Sequence, residues 1–482
     1  MNILLLWTDQ QRFDTLAAAG NLALRMPNLN ALARTSTVFE SAYCSAPVCT
    51  PSRGSVMSGL YAHGHGAVHN NEPIRADCPT IAEHLRTYGD YASSYIGKWH
   101  LGDEIFAQHG WDEWHAVEDD YQRFFSPGRD QAARSSFHHW LCARGYAPPQ
   151  GNHYPRDWCC MLPERDSKPA FCAEQAIGFL ARSRGRPWVL SINTLEPHHP
   201  LPGARNGEYE PAALPVRANF LAMPEDVPLR IRMQRARWQS GAFEHFDLSR
   251  EAGWRQAMSH YWGLCTQVDA QYGRILDALR ASGQFEDTLI IHTSDHGEMM
   301  GEHYLFGKGV PYEASVHVPL LIKLPGQSES RRVAQPVSLT DLCPTILDCA
   351  HGVVPPGLHG RSLRRLADGG ALPARDVLVQ WHGKKEGSDK NPQSWHAALG
   401  TPERLEAAGR ADFRCLVAPE GWKLAVTDLG EWELYDLSDD PCELRNRARD
   451  PDCRGRMAEL RSRLLAEMAR VGDGLMTVPA LP

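Results

Sequence analysis

The thirteen cysteines of the sequence include no C-x-x-C pair and no zinc-finger spacing. An odd count without a regular framework excludes a disulfide scaffold and predicts mostly reduced thiols; adjacent Cys159 and Cys160 read as two ordinary thiols in a loop. Lysine and arginine never form a run and the net charge is −8, which excludes a nucleic-acid binder built on a basic face. No apolar stretch approaches the ~20 residues that span a bilayer, so no membrane partner is expected. The opening Met1-Asn2-Ile3-Leu4-Leu5-Leu6-Trp7-Thr8-Asp9 lacks a basic start and a small-residue cleavage site. It reads as a strand, not a signal peptide, and makes a cytoplasmic location the expectation. No internal repeat is evident.

What is present is an ordinary globular composition, 43% hydrophobic and 22% charged, over 482 residues. That length accommodates one large domain plus a smaller one. The apolar run 2–8 predicts a strand buried on both faces of a parallel sheet, stopping at Asp9-Gln10-Gln11. Residues 27–34 read as a short helix, 37–40 as a strand, 79–88 as a helix, and 91–96 as a strand leading into Gly97-Lys98-Trp99-His100. A helix over 170–183 feeds a second buried strand, 188–193, ahead of Glu196-Pro197-His198-His199-Pro200. The strongest helix is 255–282, with Leu264, Val268, Tyr272, Ile275, Leu276 and Leu279 on one face and Gly283 as its stop. Strand 288–293 runs into Ser294-Asp295-His296-Gly297-Glu298; 318–323 is a further strand and 340–350 a helix.

Such alternation predicts a layered α/β domain over 1–375. A small α+β domain over 376–482 is expected to follow, with a polar, Gly-rich piece at 383–393, β-like runs at 415–417 and 423–426, and a final helix at 454–469. Segments 102–165 and 201–250 lack periodicity and are expected to wall a pocket, with His109, Trp111, Trp114, Tyr121 and Trp140 as candidate platforms for a sugar or aryl ring.

Three strands thus end in turns carrying Asp9-Gln10, His198 and Asp295-His296, and a fourth delivers Lys98 and His100. In a parallel sheet these turns share one edge. Asp9, Gln10, Asp295 and His296 offer three oxygen donors and one nitrogen to a divalent cation, although either pair alone serves equally well as a turn cap. Lys98, His100, His198 and Lys308 add donors for a multiply anionic group and a general acid; singly, each reads as a solvated surface residue. In Ala46-Pro47-Val48-Cys49-Thr50-Pro51-Ser52-Arg53-Gly54 a thiol stands just before a proline-initiated helix, with an arginine four residues on. A helix N-terminus favours a thiolate, and Arg53 adds an anion anchor.

Cys49-Thr50-Pro51-Ser52-Arg53 resembles the C-x-P-S-R motif of type I sulfatases, members of the alkaline phosphatase superfamily. Ile96-Gly97-Lys98-Trp99-His100 resembles their second motif, and Asp9-Gln10, Pro197-His198, Thr293-Ser294-Asp295-His296-Gly297 and Gly307-Lys308 follow in the family's order. Glu433-Leu434-Tyr435-Asp436-Leu437, with Asp440-Pro441 and Asn446, is similar to the family's C-terminal motif. The resemblance implies an alkaline-phosphatase-like three-layer sandwich with a large mostly parallel sheet. It implies that a maturation enzyme oxidises Cys49 to formylglycine, whose hydrate attacks the sulfur of a sulfate ester. Asp9, Gln10, Cys49, Asp295 and His296 would hold one divalent metal ion. Lys98, His198 and Lys308 would bind the substrate, with Asn70 near it; His198 would protonate the leaving oxygen, His100 would take a proton from the second hydroxyl, and Arg53 would brace the site.

Two departures matter. Gln10 and His296 stand where many sulfatases have an acid and an Asn, so manganese or another transition metal is admissible beside calcium, the first expectation. The same pattern resembles phosphonate monoester hydrolases, which carry Tyr and Thr where this chain has Lys98 and His100. Lys98 and His100 favour sulfate monoesters, with phosphonate or phosphodiester hydrolysis as the alternative. A non-catalytic binding protein on this fold would have lost a site residue, and none is lost. Homo-oligomerisation is left open.

Overall fold

An eight-stranded sheet crosses the computed structural model, which describes residues 1–383 and 394–481. Most of the expected polar piece 383–393 therefore lies outside the described residues. The strands are β1 (Asn2–Asp9), β2 (Thr37–Phe39), β3 (Ala92–Gly97), β4 (Glu113–Ala116), β5 (Trp188–Pro197), β6 (Thr288–Ser294), β7 (Leu320–Lys323) and β8 (Arg331–Val333), in the spatial order β8-β2-β7-β6-β1-β5-β3-β4. β7 runs antiparallel to both its neighbours and every other pairing is parallel.

β1 lies between β5 and β6 and is apolar from Ile3 to Trp7 because helices cover both of its faces. Leu4 and Leu6 enter one core with helices Lys168–Arg182 and Glu251–Ala281; Ile3, Leu5 and Trp7 enter another with helices Cys49–Ser58, Ile81–Tyr88 and Leu342–His351. Burying one such large apolar side chain contributes about 1.5–3 kcal/mol. This is the expected three-layer sandwich.

Local signals place the helix ends. Thr80 and Glu83 form a capping box that starts the helix at Ile81, two residues after the expected 79. Ser167 accepts from the Ala170 N–H and starts the next helix at Lys168. The long helix begins at Glu251 and stops at Ala281, just ahead of Gly283 in the left-handed region (φ +75°). Three expectations are corrected. Pro319 lacks an N–H for the ladder, so 318–323 splits into a short strand His317–Val318 in a separate three-stranded sheet and β7. The 102–165 segment is more than an aperiodic pocket wall, since it supplies the edge strand β4 and a helix, Ser136–Ala143. Within 201–250 lies a helix, Leu229–Gln239, whose Leu229, Ile231 and Met233 alternate with polar residues and so show no helical period.

Gly97 ends β3 at its closest approach to β5. Its φ is +114°, and a Cβ there would lie 1.8 Å from the Asn193 carbonyl oxygen. That approach lets Lys98 N–H donate to Asn193 O at 3.1 Å and aims the next residues across the sheet edge.

The C-terminal meander β9 (Val377–Trp381), β10 (Phe413–Val417), β11 (Trp422–Thr427) and β12 (Trp432–Asp436) is antiparallel. Leu378, Leu416, Leu424 and Val426 pack on Met457, Leu460 and Leu464 of helix Arg454–Val471, while Val377, Val379, Phe413 and Cys415 join the core beneath Trp7. Buried Lys423 ties the two regions, donating to Glu313 at 2.9 Å and Glu443 at 2.7 Å. All thirteen cysteines are free thiols. No helix among the described residues is long and apolar enough to cross a membrane.

Candidate active site

The C-terminal ends of β1, β3, β5 and β6 deliver Asp9-Gln10, Lys98-His100, His198 and Asp295-His296 to one edge of the sheet. Helix Cys49–Ser58 points its N-terminus at this edge; Val48 caps it in extended conformation, so Cys49 is its first residue rather than the one before it. Asn70 Oδ1 accepts from Thr50 N–H at 3.1 Å, satisfying one of the free donors of the first turn. Cys49 Sγ lies 3.3 Å from His296 Nε2 and 3.7 Å from Asp9 Oδ1. Burial and Asp9 push the thiol up, but Lys308, Lys98 and His296 outweigh them and leave it below its ordinary value.

Arg53, one turn along the same helix, is fully buried. Its Nε donates to Asp295 Oδ2 at 2.9 Å, Nη2 to Asp9 Oδ2 at 3.0 Å, and Nη1 to Lys98 O at 2.7 Å and Asn193 Oδ1 at 2.6 Å. One guanidinium thus ties four neighbouring strands together near the site, which only its rigid fork can do. Because Arg53 takes both Oδ2 atoms, the Oδ1 atoms are left facing inward. Asp9 Oδ1 is 3.7 Å and Asp295 Oδ1 3.6 Å from His296 Nε2.

Ligand atoms of Asp9, Cys49, Asp295 and His296 all lie within 4.8 Å of one another and are buried. Ligands about 2.0–2.4 Å from a common ion stand at such separations from each other, so the residues fit a divalent cation. His296 Nδ1 donates to Gly297 O at 2.9 Å, which turns the Nε2 lone pair toward the two carboxylates. Burial pulls His296 down, but Asp295 more than offsets it, and the imidazole sits above its ordinary range. Burial acts against the Asp9 carboxylate too, yet Lys98, His198, Arg53 and Lys308 hold it well below the usual range.

Gln10 is oriented by Glu298, a residue to which the sequence motifs assign no role. Fully buried Glu298 accepts from Gln10 Nε2, so the amide must turn its Oε1 the other way, where Lys308 Nζ donates to it. Glu298 also accepts from the N–H groups of Met300 (2.9 Å) and Gly307 (2.6 Å), fixing the loop that carries Lys308. Lys98 Nζ donates to Asp9 Oδ2 at 2.7 Å, and Lys308 Nζ lies 4.0 Å from Asp9 Oδ1. His198 Nδ1 donates to His199 O at 2.6 Å, which leaves its Nε2 as the acceptor. Burial, Lys308 and His199 hold His198 well below its usual range; burial, Lys98 and Arg53 do the same to His100.

The expected site residues therefore meet, but three supporting ones were not anticipated: Asn193, Glu298, and Asn71, whose Oδ1 lies 2.8 Å from His100 Nε2. Asn193 ends an expected strand beside the site, the only signal that could have found it. Of the expected ring platforms, Tyr121 alone reaches the site, with its ring 4.7 Å from that of His100. Trp111 and Trp114 pack on Tyr95, His109 on Trp99, and Trp140 on Phe137 and Phe171. Trp111 is buried core, and the other three are half-buried rings packed on residues outside the site.

A family model described as Sulfatase matches residues 1–353. An arylsulfatase of Clostridium perfringens is 27% identical over 98% of this chain and 95% of its own length. A choline-sulfatase of Rhizobium meliloti is 29% identical over 93% of this chain and 83% of its own. Among solved structures, a phosphonate monoester hydrolase from Silicibacter pomeroyi superposes with a TM-score of 0.78 at 27% identity, covering 98% of this chain and 96% of that one. With the family model spanning the whole α/β sandwich and the motif residues converging at its edge, the chain belongs to the sulfatase family.

Proposed function

We propose that the protein hydrolyses sulfate monoesters to an alcohol or phenol plus inorganic sulfate, using one divalent metal ion and a formylglycine made from Cys49. The maturation enzyme that makes it would read the Cys-x-Pro-x-Arg stretch. The observation that carries this reading is the convergence of Cys49 with Asp9, Asp295 and His296 within 4.8 Å. Asp9, Gln10, Asp295 and His296 would hold the ion, calcium first and manganese or another transition metal next. Together the ion and the formylglycine supply an acidified hydroxyl as nucleophile and a second hydroxyl through which sulfate is later expelled.

The chain's own residues do the rest. Lys98 and Lys308 bind the ester's non-bridging oxygens, placing fixed positive charge where negative charge is retained in the transition state. His198 hands a proton from Nε2 to the leaving oxygen. Lys308 helps keep His198 neutral before substrate arrives; an anionic ester opposes that charge, so His198 takes up its proton with the substrate. His100 receives the proton of the second hydroxyl. Arg53 holds Asp9, Asp295, the end of β3 and Asn193 of β5 in register.

The second reading, hydrolysis of phosphonate monoesters or phosphate diesters, is favoured by the Gln10 and His296 pair and by the fold match above. The test is protein made with a formylglycine-generating enzyme, its intact mass, and kcat/KM on both ester classes. A mass loss of ~18 Da with sulfate esters preferred is expected. With the 18 Da loss and bound metal present, a preference for phosphonate or phosphate diesters establishes the second reading, and no turnover of either class overturns both.

A further inference from the structure

His100 is held by more bonds than its place at the end of a strand requires. Its backbone is in the left-handed region (φ +59°), and Glu104, buried, accepts from the N–H groups of both Trp99 (2.8 Å) and His100 (2.6 Å). From the other side the Thr50 hydroxyl donates to His100 O at 2.8 Å, and its oxygen accepts from Asn71 N–H at 3.1 Å. Asn71, itself left-handed (φ +70°), turns Oδ1 to His100 Nε2 at 2.8 Å. An amide oxygen only accepts, so the ring proton sits on Nε2. Nδ1 is then a buried nitrogen without a hydrogen-bond partner among the described residues.

We propose that Asn71 is a positioning residue that locks His100 in the Nε2–H tautomer and thereby makes Nδ1 the basic atom of the site. The inference rests on His100 being the base of the proposed sulfatase. An imidazole free to exchange its proton would spend part of its time with Nδ1 blocked by that proton, and the Asn71 acceptor removes this fraction. Thr50 sets the distance as well as the orientation. It follows Cys49 directly, and its one hydroxyl joins the backbone of the base to the backbone of the residue that orients it. The register between nucleophile and base is therefore carried by a side chain adjacent to the nucleophile. The neighbouring Asn70–Thr50 bond ties the same turn to the helix start.

The test uses full-length wild type, Asn71→Gly and Asn71→Asp. Glycine suits the left-handed backbone and removes only the side chain, whereas Asp keeps an acceptor. Two-bond ¹H–¹⁵N correlation spectra of ¹⁵N-histidine protein report the tautomer, with His100 assigned by its loss in His100→Ala. The wild type and Asn71→Asp should carry the proton on Nε2, and Asn71→Gly should show a mixture. With formylglycine content matched by intact mass, Asn71→Gly should lower kcat about 10- to 100-fold at nearly unchanged KM, and Asn71→Asp should restore most of it. A wild-type proton on Nδ1, or an Asn71→Gly protein with unchanged tautomer and kcat, overturns the inference. Failure of the sulfatase reading looks different: wild type carrying formylglycine and metal turns over no sulfate ester, whatever the spectrum shows.

Discussion

Replacing Arg53 with lysine keeps a positive charge and removes the fork. The guanidinium makes four bonds of 2.6–3.0 Å to acceptors on Asp9, Lys98, Asn193 and Asp295, and it stacks 5.0 Å from the Trp7 ring. An ammonium donates from a single atom on a different stem, so it cannot span both carboxylates and still reach the two carbonyl-type oxygens. At least two buried acceptors lose their partner where no water reaches, at about 1–3 kcal/mol each, and the cation–π contact is weakened. The expected destabilisation is about 3–6 kcal/mol. For a chain of 482 residues the unfolding entropy is about 1 kcal/mol per kelvin, so the melting temperature should fall ~3–6 °C. The assay is thermal melting by circular dichroism on both proteins made without the maturation enzyme, which leaves Cys49 a thiol in each. Calorimetric titration with calcium or manganese should show affinity reduced about 10- to 100-fold as Asp9 and Asp295 lose their orientation. Melting within about 1 °C of wild type, with unchanged metal affinity, would refute the claim that this fork ties the strands together near the site.

Gly97→Ala drives a Cβ to 1.8 Å from the Asn193 oxygen at a φ of +114°; β3 must leave β5, costing at least ~3 kcal/mol and the activity, and a wild-type melt would contradict it. His198→Ala should lower kcat/KM about 10²–10⁴-fold on alkyl sulfates and much less on nitrophenyl sulfate; equal losses on both would argue against proton donation to the leaving oxygen. His69 donates from both ring nitrogens, to Glu72 at 2.8 Å and Gly383 O at 3.1 Å, and the Glu72 bond raises it above its ordinary value despite burial. Its contribution is therefore complete below the unfolded value of about 6.5 and lost as pH rises through the higher folded value; the stability difference from His69→Ala should shrink between these limits, and a flat difference in denaturant melts would exclude the effect. Lys98→Tyr combined with His100→Thr should shift the kcat/KM ratio from sulfate monoesters toward phosphonate monoesters, and an unmoved ratio would show that selectivity is set elsewhere.

Much of this site was legible because strand ends collect chemistry. The apolar run 2–8 and the strand leading to Asp295 could be read as buried parallel strands, and their next residues then had to share an edge. Cys49 and Arg53 were legible as a motif four residues apart. What escaped was whatever depends on contacts far apart in sequence. Glu298 orients Gln10, which lies 288 positions away. Asn193 meets Arg53 140 positions away. The ring platforms were misread for a related reason. Aromatic content in 102–165 looks the same whether the rings line a cleft or fill a core, and only the packing of Trp111 and Trp114 against Tyr95 decides it. Helix Leu229–Gln239 escaped because its burial is carried by Leu229, Ile231 and the stem of Arg235, which leave no apolar stripe.

The charges around Asp9 bear on which ester fits. Two carboxylates, Asp9 and Asp295, face three cations, Arg53, Lys98 and Lys308. Arg53 is engaged by both carboxylates, whereas Lys98 bonds one of them and Lys308 bonds Gln10, which leaves donors on both lysines for a substrate. A sulfate monoester and a phosphonate monoester each bring one negative charge at neutral pH, and net charge alone cannot tell them apart. Donor and base character can. Lys98 shares its ammonium with Asp9 at 2.7 Å, so a bound ester oxygen joins an existing ion pair instead of requiring a new charge to be desolvated. A tyrosine at position 98 would offer a neutral donor with no such pairing. A threonine at position 100 would offer no base, whereas His100 is kept neutral by burial, Lys98 and Arg53 and is ready to accept a proton. In the proposed reaction, expulsion of sulfate by proton removal from a neighbouring hydroxyl would need that base, and Asn71, Thr50 and Glu104 hold it in place. On the proposed reading, selectivity for sulfate resides less in the metal ligands, where Gln10 and His296 point the other way, than in two residues at the end of one strand and the turn that orients them.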